Sequence, residues 1–166
     1  MLAEAGYPDG LTVELFTSDI WPELIPMTVV YKEQAAEAGI NVEIKQVPAD
    51  GFWTKYWMVE PFCMSYWNQR PADQILNEAF RCGGSWNETY WCNEEFDQAI
   101  DDARKELDLA KRIELYQMAQ QLIADEGGVI VPFFKNTTEV MDAQVKGIPP
   151  IATISLPWED IYIEEQ

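Results

Sequence analysis

The chain contains no histidine. Imidazole general bases, histidine-activated nucleophiles and histidine metal ligands are therefore excluded. Cationic residues are few: 11 Lys and Arg stand against 29 Asp and Glu, for a net charge of -18. Phosphate backbones and anionic membrane surfaces would be repelled, which argues against a nucleic-acid partner. No apolar run approaches the roughly 20 residues of a membrane span. Residues 1–4 show no basic stretch leading into an apolar one, so no signal peptide is visible there. Neither a Gly-x-Ser-x-Gly elbow nor a phosphate-binding loop occurs. Internal repeats and low-complexity tracts are absent too. Cysteine is scarce. Cys63, Cys82 and Cys92 form no C-x-x-C pair.

What is present suits a packed domain. The 166 residues are 48% hydrophobic and 13% aromatic, enough for a sizeable core. Residues 2–6 read as a last helical turn, and Pro8-Asp9-Gly10 as a turn. Residues 11–17 alternate apolar and polar, as a strand does. Residues 25–38 carry helical spacing and stop at Gly39. Residues 40–47 alternate again. A strand, helix, strand crossover of this length predicts two parallel strands. A short helix over 52–59 and a third strand over 61–67 follow. After a polar loop, a short helix is predicted over 74–80.

A Trp- and Asn-rich loop over 81–93 leads into residues 94–124, read as one helix or two in series. Asp108 is the N-cap of the second. Its stripe of Ile113, Leu115, Tyr116, Met118, Ala119, Leu122 and Ile123 is predicted to face the core. Gly127-Gly128 ends the helix. A fourth strand is expected over 129–134 and another extended segment over 139–146. Residues 147–166 form an extended tail that needs a sheet to join. The pattern predicts an α/β fold, a mixed sheet with helices on both faces.

The many carboxylates suggest a two-carboxylate hydrolase. Most of them, including Glu94, Glu95, Asp97, Asp101, Asp102, Glu106 and Asp108, fall on what reads as a solvated helix face. Two clusters suit binding better. The first follows the third predicted strand, where ligands sit in open α/β sheets. There Trp67 offers a flat wall, Asn68 and Gln69 hydrogen bonds, and Arg70 a bidentate grip on a carboxylate. The competing reading pairs Arg70 with Asp73 in a capped loop without ligand. The second cluster is Trp86-Asn87-Glu88-Thr89-Tyr90-Trp91. An exposed Trp calls for a covering ligand or a second lobe. Equally, Trp86 and Trp91 fold down onto the long helix. Cys82 and Cys92 flank this loop. A bond between them would contribute roughly 2–3 kcal/mol in an oxidising compartment. The alternative is free thiols, some of them buried.

Several stretches share an order and spacing with one family. These are L-A-E-A-G-Y-P-D-G, A-G-I-N-V-E-I, the strand ending in Trp67, and F-D-Q-A-I with A-R-K-E-L-D and R-I-E-L-Y-Q. V-I-V-P-F-F and V-K-G-I-P complete the set. Together they resemble the C-terminal lobe of peptide-, oligopeptide- and nickel-class solute-binding proteins of ABC importers (family 5). The resemblance covers residues 2 to about 149. It implies a type II periplasmic-binding-protein-like lobe over 1–146 and a tail, 147–166, returning to a missing N-terminal lobe. It also implies a non-catalytic ligand clamp that presents its solute to permease subunits. The location would be the periplasm, or outside the cell on a lipid anchor.

In many peptide-binding relatives an Asp three residues after the Trp equivalent to Trp67 grips the peptide's amino group. Here that position is Arg70, and the next acid, Asp73, is shifted. A dipeptide ligand is therefore put in doubt. A solute with a carboxylate or several hydroxyls, such as an acidic peptide, an opine or a sugar, is expected instead. The ligand-contact set is Trp67, Asn68, Arg70, Asp73, Trp86 and Asn87. No cofactor or metal is called for. Two readings compete with this one: a self-sufficient carbohydrate-recognition module, and a carboxylate hydrolase. A homodimer through the exposed cleft or the tail is a further expectation.

Overall fold

The structure is a computed structural model that describes residues 1–136, 138, 140–148 and 158–164. The chain divides into two compact units, Met1–Trp67 and Asn68–Gln166.

The first unit is a βαβ turn of the chain. Strand β1 (Leu11–Thr17) and strand β2 (Ile40–Gln46) pair in parallel, with Leu11 opposite Ile40 and Thr17 opposite Gln46. Helix α1 (Leu24–Glu37) crosses between them. It ends where Gly39 takes φ +81, a left-handed value that glycine adopts without a Cβ penalty. Leu15, Ala35 and Val42 form the buried centre, flanked by Val13, Tyr31, Ile40, Phe62 and Met64. Because side chains alternate along β1, Phe16 points to the opposite face from Leu15. There it stacks on Tyr56, with ring centroids 6.0 Å apart. Tyr56 follows helix α2 (Phe52–Lys55), which is shorter than the predicted 52–59 helix.

The third predicted strand, 61–67, is reduced to one parallel bridge between Phe16 and Cys63. Phe16 N–H donates to the Phe62 carbonyl at 3.0 Å, and Met64 N–H to the Phe16 carbonyl at 2.8 Å. Beyond that pair the segment leaves the β1 edge, so no ladder builds.

The second unit is helical around a disulfide-closed loop. Helices α3 (Ala72–Ala79), α4 (Glu94–Lys105) and α5 (Leu109–Glu126) surround Leu76, Phe96, Ala99, Ile100, Ala119 and Ile123. Residues 94–124 are thus two helices in series. Asn93 starts α4 by accepting from Phe96 N–H at 3.0 Å. Asp108 starts α5 by accepting from the N–H groups of Ala110 and Lys111 at 2.9 and 3.2 Å. Helix α4 carries Glu94, Glu95 and Asp97 in its first turn and Arg104 and Lys105 in its last, the favourable sense for its dipole.

The α5 stripe is narrower than predicted. Ala119 and Ile123 are buried, Tyr116 and Leu122 pack partly, while Ile113 and Met118 lie exposed. At 100° per residue, Met118 points away from the face defined by Ala119 and Ile123.

The expected strand over 129–134 does not form. Ile130, Val131, Phe133 and Phe134 are exposed, and Pro132 lacks a ladder donor. Of the extended segment expected over 139–146, only β3 (Val145–Lys146) is a strand. It pairs antiparallel with β4 (Tyr162–Ile163), which follows a 3-10 turn at Trp158–Asp160. Most of the predicted tail, 149–157 and 165–166, lies outside the described residues. The α/β class holds, with parallel and antiparallel strands in separate two-stranded sheets. Among the described residues no helix is long and apolar enough to cross a membrane.

Candidate functional site

In the first unit, Trp67 is half-buried at the end of the 61–67 segment. Sequence reasoning missed the aromatic cluster beside it in the chain. Trp21 follows β1, Trp53 lies on α2, and Tyr66 joins them. The Trp21 and Tyr66 rings are 4.5 Å apart, Trp53 and Tyr66 5.9 Å, and Trp53 and Trp57 5.4 Å. Trp21 and Trp53 come from the segments that follow the carboxyl ends of the two parallel strands, the binding side of open α/β sheets. A separate groove of 410 Å³ runs along the outer edge of β1, lined by Val13, Phe16, Pro61 and Phe62 among others.

The second unit holds the remaining candidates. Asn68 is exposed, and its carbonyl accepts from Arg70 Nη1 at 3.4 Å. The Arg70–Asp73 pairing does not form. Arg70 Nε instead faces Glu78 Oε2 at 3.3 Å, with side chains 26% and 32% exposed. Glu78 sits on the second turn of α3, where Gln74 Nε2 donates to its other oxygen at 2.9 Å. A shallow cavity of 330 Å³ opens beside it, lined by Asn77, Glu78, Ser85 and Trp86. The Trp86 indole is 44% exposed. Glu78 thus belongs both to the ion pair with Arg70 and to the cavity lined by Trp86.

Asp73 is placed elsewhere in function. Arg104 grips it bidentately, Nε to Oδ1 at 2.8 Å and Nη2 to Oδ2 at 3.0 Å. Tyr116 Oη donates to Oδ1 at 3.0 Å, and Asn77 Nδ2 donates at 3.2 Å. The Arg104 guanidinium holds the Asp73 carboxyl below its ordinary value, while burial raises the Tyr116 phenol above its own. Asp73 ties α3 to α4 and α5.

Asn87 is likewise internal, at 2% exposure. Its Nδ2 donates to the carbonyls of Phe80, Arg81 and Trp91 at 3.5, 3.1 and 2.7 Å. Thr89 Oγ1 donates to Asn87 Oδ1 at 3.1 Å. Asn87 organises the aromatic loop. Cys82 and Cys92 are joined by a disulfide across the base of that loop, with Cα atoms 4.5 Å apart. Trp91 folds inward, edge-on to Phe96 at 5.2 Å. The bond and Asn87 together fix the loop that presents Trp86. Cys63 lies outside the disulfide and is half-buried. Among the described residues no cluster of three or more His, Cys, Asp or Glu side chains could hold a metal.

Comparison with known proteins fits this architecture. The dipeptide-binding protein DppE of Bacillus subtilis (strain 168) is 40% identical over 92 residues, covering 54% of this chain and 17% of that protein. The chain is thus similar in sequence to peptide-class solute-binding proteins. The solved structure of clavulanic acid biosynthesis oligopeptide binding protein 2 shares the fold, with a TM-score of 0.83 at 17% identity. It covers 99% of this chain and 32% of that one. The solute-binding protein MoaA from A. tumefaciens R10, in complex with mannopinic acid, matches at a TM-score of 0.61 and 29% identity. That match covers 74% of this chain and 26% of MoaA. No protein-family model matches the chain. The chain spans well under half the length of each of these proteins. None of the three names describes an enzyme, and the helix-rich fold gives no support to an all-β carbohydrate module.

Proposed function

We propose that this chain forms one lobe of the ligand clamp of a non-catalytic solute-binding component of an ABC importer. The observation that carries the reading is the 40% identity to a dipeptide-binding protein over 92 residues. The lobe would comprise residues 1–146, with 147–166 returning to the partner lobe of the same protein. Its solute is a small polar molecule, peptide-like, opine-like or sugar-like, whose carboxylate or hydroxyls meet Arg70 in the second unit, with Asn68 and Trp86 as further contacts there. A relative that holds mannopinic acid supports an acidic solute. Permease subunits are the downstream partners. The periplasm, or the cell exterior on a lipid anchor, is the proposed location. The chain alone pairs as a homodimer through surfaces the other lobe would cover. Half a clamp buries one side of a solute, so the isolated chain binds weakly.

Calorimetric titration of the full-length parent and of this chain tests the proposal, using dipeptides, acidic peptides, opines and oligosaccharides. Tight binding by the parent and little by the chain is the expected result. Equal binding by both would mean a self-sufficient recognition module and would overturn the half-clamp reading.

A further inference from the structure

We propose that Glu78 is a specificity-determining residue, standing in for a ligand carboxylate on Arg70 until an acidic solute displaces it. This rests on the solute-binding reading above and names a residue that the sequence did not single out.

The two guanidinium pairs of the second unit make the case by contrast. Arg104 meets Asp73 with two short bonds, 2.8 and 3.0 Å. That is the bidentate geometry of a permanent fork. Arg70 meets Glu78 through one contact of 3.3 Å. Glu78 Oε2 accepts no hydrogen bond, although it is buried from solvent. The contact is therefore coulombic and imperfectly aligned. A single misaligned pair gains less than a charge-assisted hydrogen bond and leaves a buried acceptor unsatisfied. Exchanging Glu78 for a better-placed carboxylate then sacrifices no aligned hydrogen bond between Arg70 Nε and Glu78.

Position supplies the second argument. Glu78 lines the cavity beside Trp86, so a solute lying on the indole arrives next to the ion pair. A solute carboxylate that reaches Arg70 meets Glu78 as a like charge. Glu78 then taxes every anion and spares uncharged solutes, so selectivity is set by how well the incoming carboxylate outcompetes it. Gln74, bonded to Oε1, holds the displaced side chain on α3.

The test is titration of the full-length parent, as wild type, Glu78→Gln, Arg70→Ala and the double variant, with mannopinic acid and with uncharged maltotriose. Glu78→Gln keeps the side-chain shape and the Gln74 contact, and circular dichroism checks that each variant folds. The expected result is mannopinic acid binding about two- to fivefold tighter in Glu78→Gln. That gain disappears in the double variant, and maltotriose binding is unchanged. Detectable mannopinic acid binding by Glu78→Gln alone would support the proposal as strongly. Unchanged or absent mannopinic acid binding in Glu78→Gln would overturn it. Weaker binding would overturn it as well, since Glu78 would then hold a cationic group of the solute. Should the wild-type parent bind some member of the wider solute panel while Glu78→Gln gains nothing, the solute-binding reading stands and the role of Glu78 falls. A wild-type parent that binds no panel member removes the solute-binding reading itself.

Discussion

Reduction of the Cys82–Cys92 bond is the sharpest single perturbation. The bond spans a sequence separation of 10 residues. In the chain-entropy model a ring of that size restricts the unfolded chain by about 2.7 kcal/mol. The native loop keeps other ties: the Asn87 amide bonds, the Cys82 N–H to Asp97 Oδ1 contact at 3.2 Å, and Trp91 against Phe96. It should therefore stay folded at moderate temperature after reduction, and the loss should appear as stability instead of as collapse. With a urea slope of about 2 kcal/mol/M, the midpoint falls by about 1.3 M. The assay is urea unfolding followed by Trp fluorescence, with and without a phosphine reductant, and with the Cys82→Ser, Cys92→Ser double variant as control. Thiol titration in denaturant should count one thiol before reduction, from Cys63, and three after it. A midpoint shift below about 0.3 M, within the usual error of such curves, would refute the reasoning. So would three thiols in the unreduced protein.

Asp73→Ala removes the acceptor shared by Arg104, Tyr116 and Asn77. It should cost about 1–2 kcal/mol, a figure lowered because the Arg104 and Asp73 side chains are 49% and 37% exposed. The folded Asp73 carboxyl lies below its ordinary value of 3.8, so its stabilisation is fully present above that pH. It is lost as pH falls through the folded value, and acid unfolding of Asp73→Ala should lack that component. Asn87→Ala leaves three carbonyls without their shared donor and should cost about 2–3 kcal/mol in the same urea assay. A cost below about 0.5 kcal/mol, the range of ordinary surface substitutions, would deny Asn87 its organising role. Phe96→Ala opens a cavity at a fully buried position and should cost about 3–5 kcal/mol by thermal or urea unfolding.

Local patterns carried the first unit well. Alternation in L-T-V-E-L-F-T and I-N-V-E-I-K-Q marked both strands, and the crossover length dictated their parallel pairing. Asp108 was legible because an N-cap is a local event. The strands over 61–67 and 129–134 were not, because a strand exists only where another edge accepts its ladder. Composition cannot report that edge. The site divided along the same line. Arg70 and Trp86 stood out by residue type. Glu78 did not, because its tie to Arg70 spans eight positions and depends on α3 beginning at Ala72. Trp21, Trp53 and Tyr66 come from three separate segments, and no spacing rule links them. Nothing in the local sequence signals that three carbonyls turn inward to meet the amide of Asn87.

The charge at position 70 bears most directly on the solute. An acid three residues further on is at first sight a compensating shift, a carboxylate that still grips an amino group. The geometry around Asp73 argues against that option. Both of its oxygens meet Arg104, and Tyr116 and Asn77 add two more donors. A solute ammonium would have to break a bidentate pair to reach it. Glu78 is the acid that does line the cavity, and it faces Arg70. The site therefore carries one cation and one anion set against each other. On the proposed reading, a solute must answer both charges, and a carboxylate on the solute answers Arg70 only by outcompeting Glu78. Substituting Arg70→Asp in the parent, to restore the acid of the peptide-binding relatives, sets two carboxylates side by side unless Glu78→Gln accompanies it. The paired change should admit amino-terminal peptides where the single change does not, and isothermal titration with a dipeptide decides between them. Equal gains from the single and paired changes would show that Glu78 has no bearing on the solute at all.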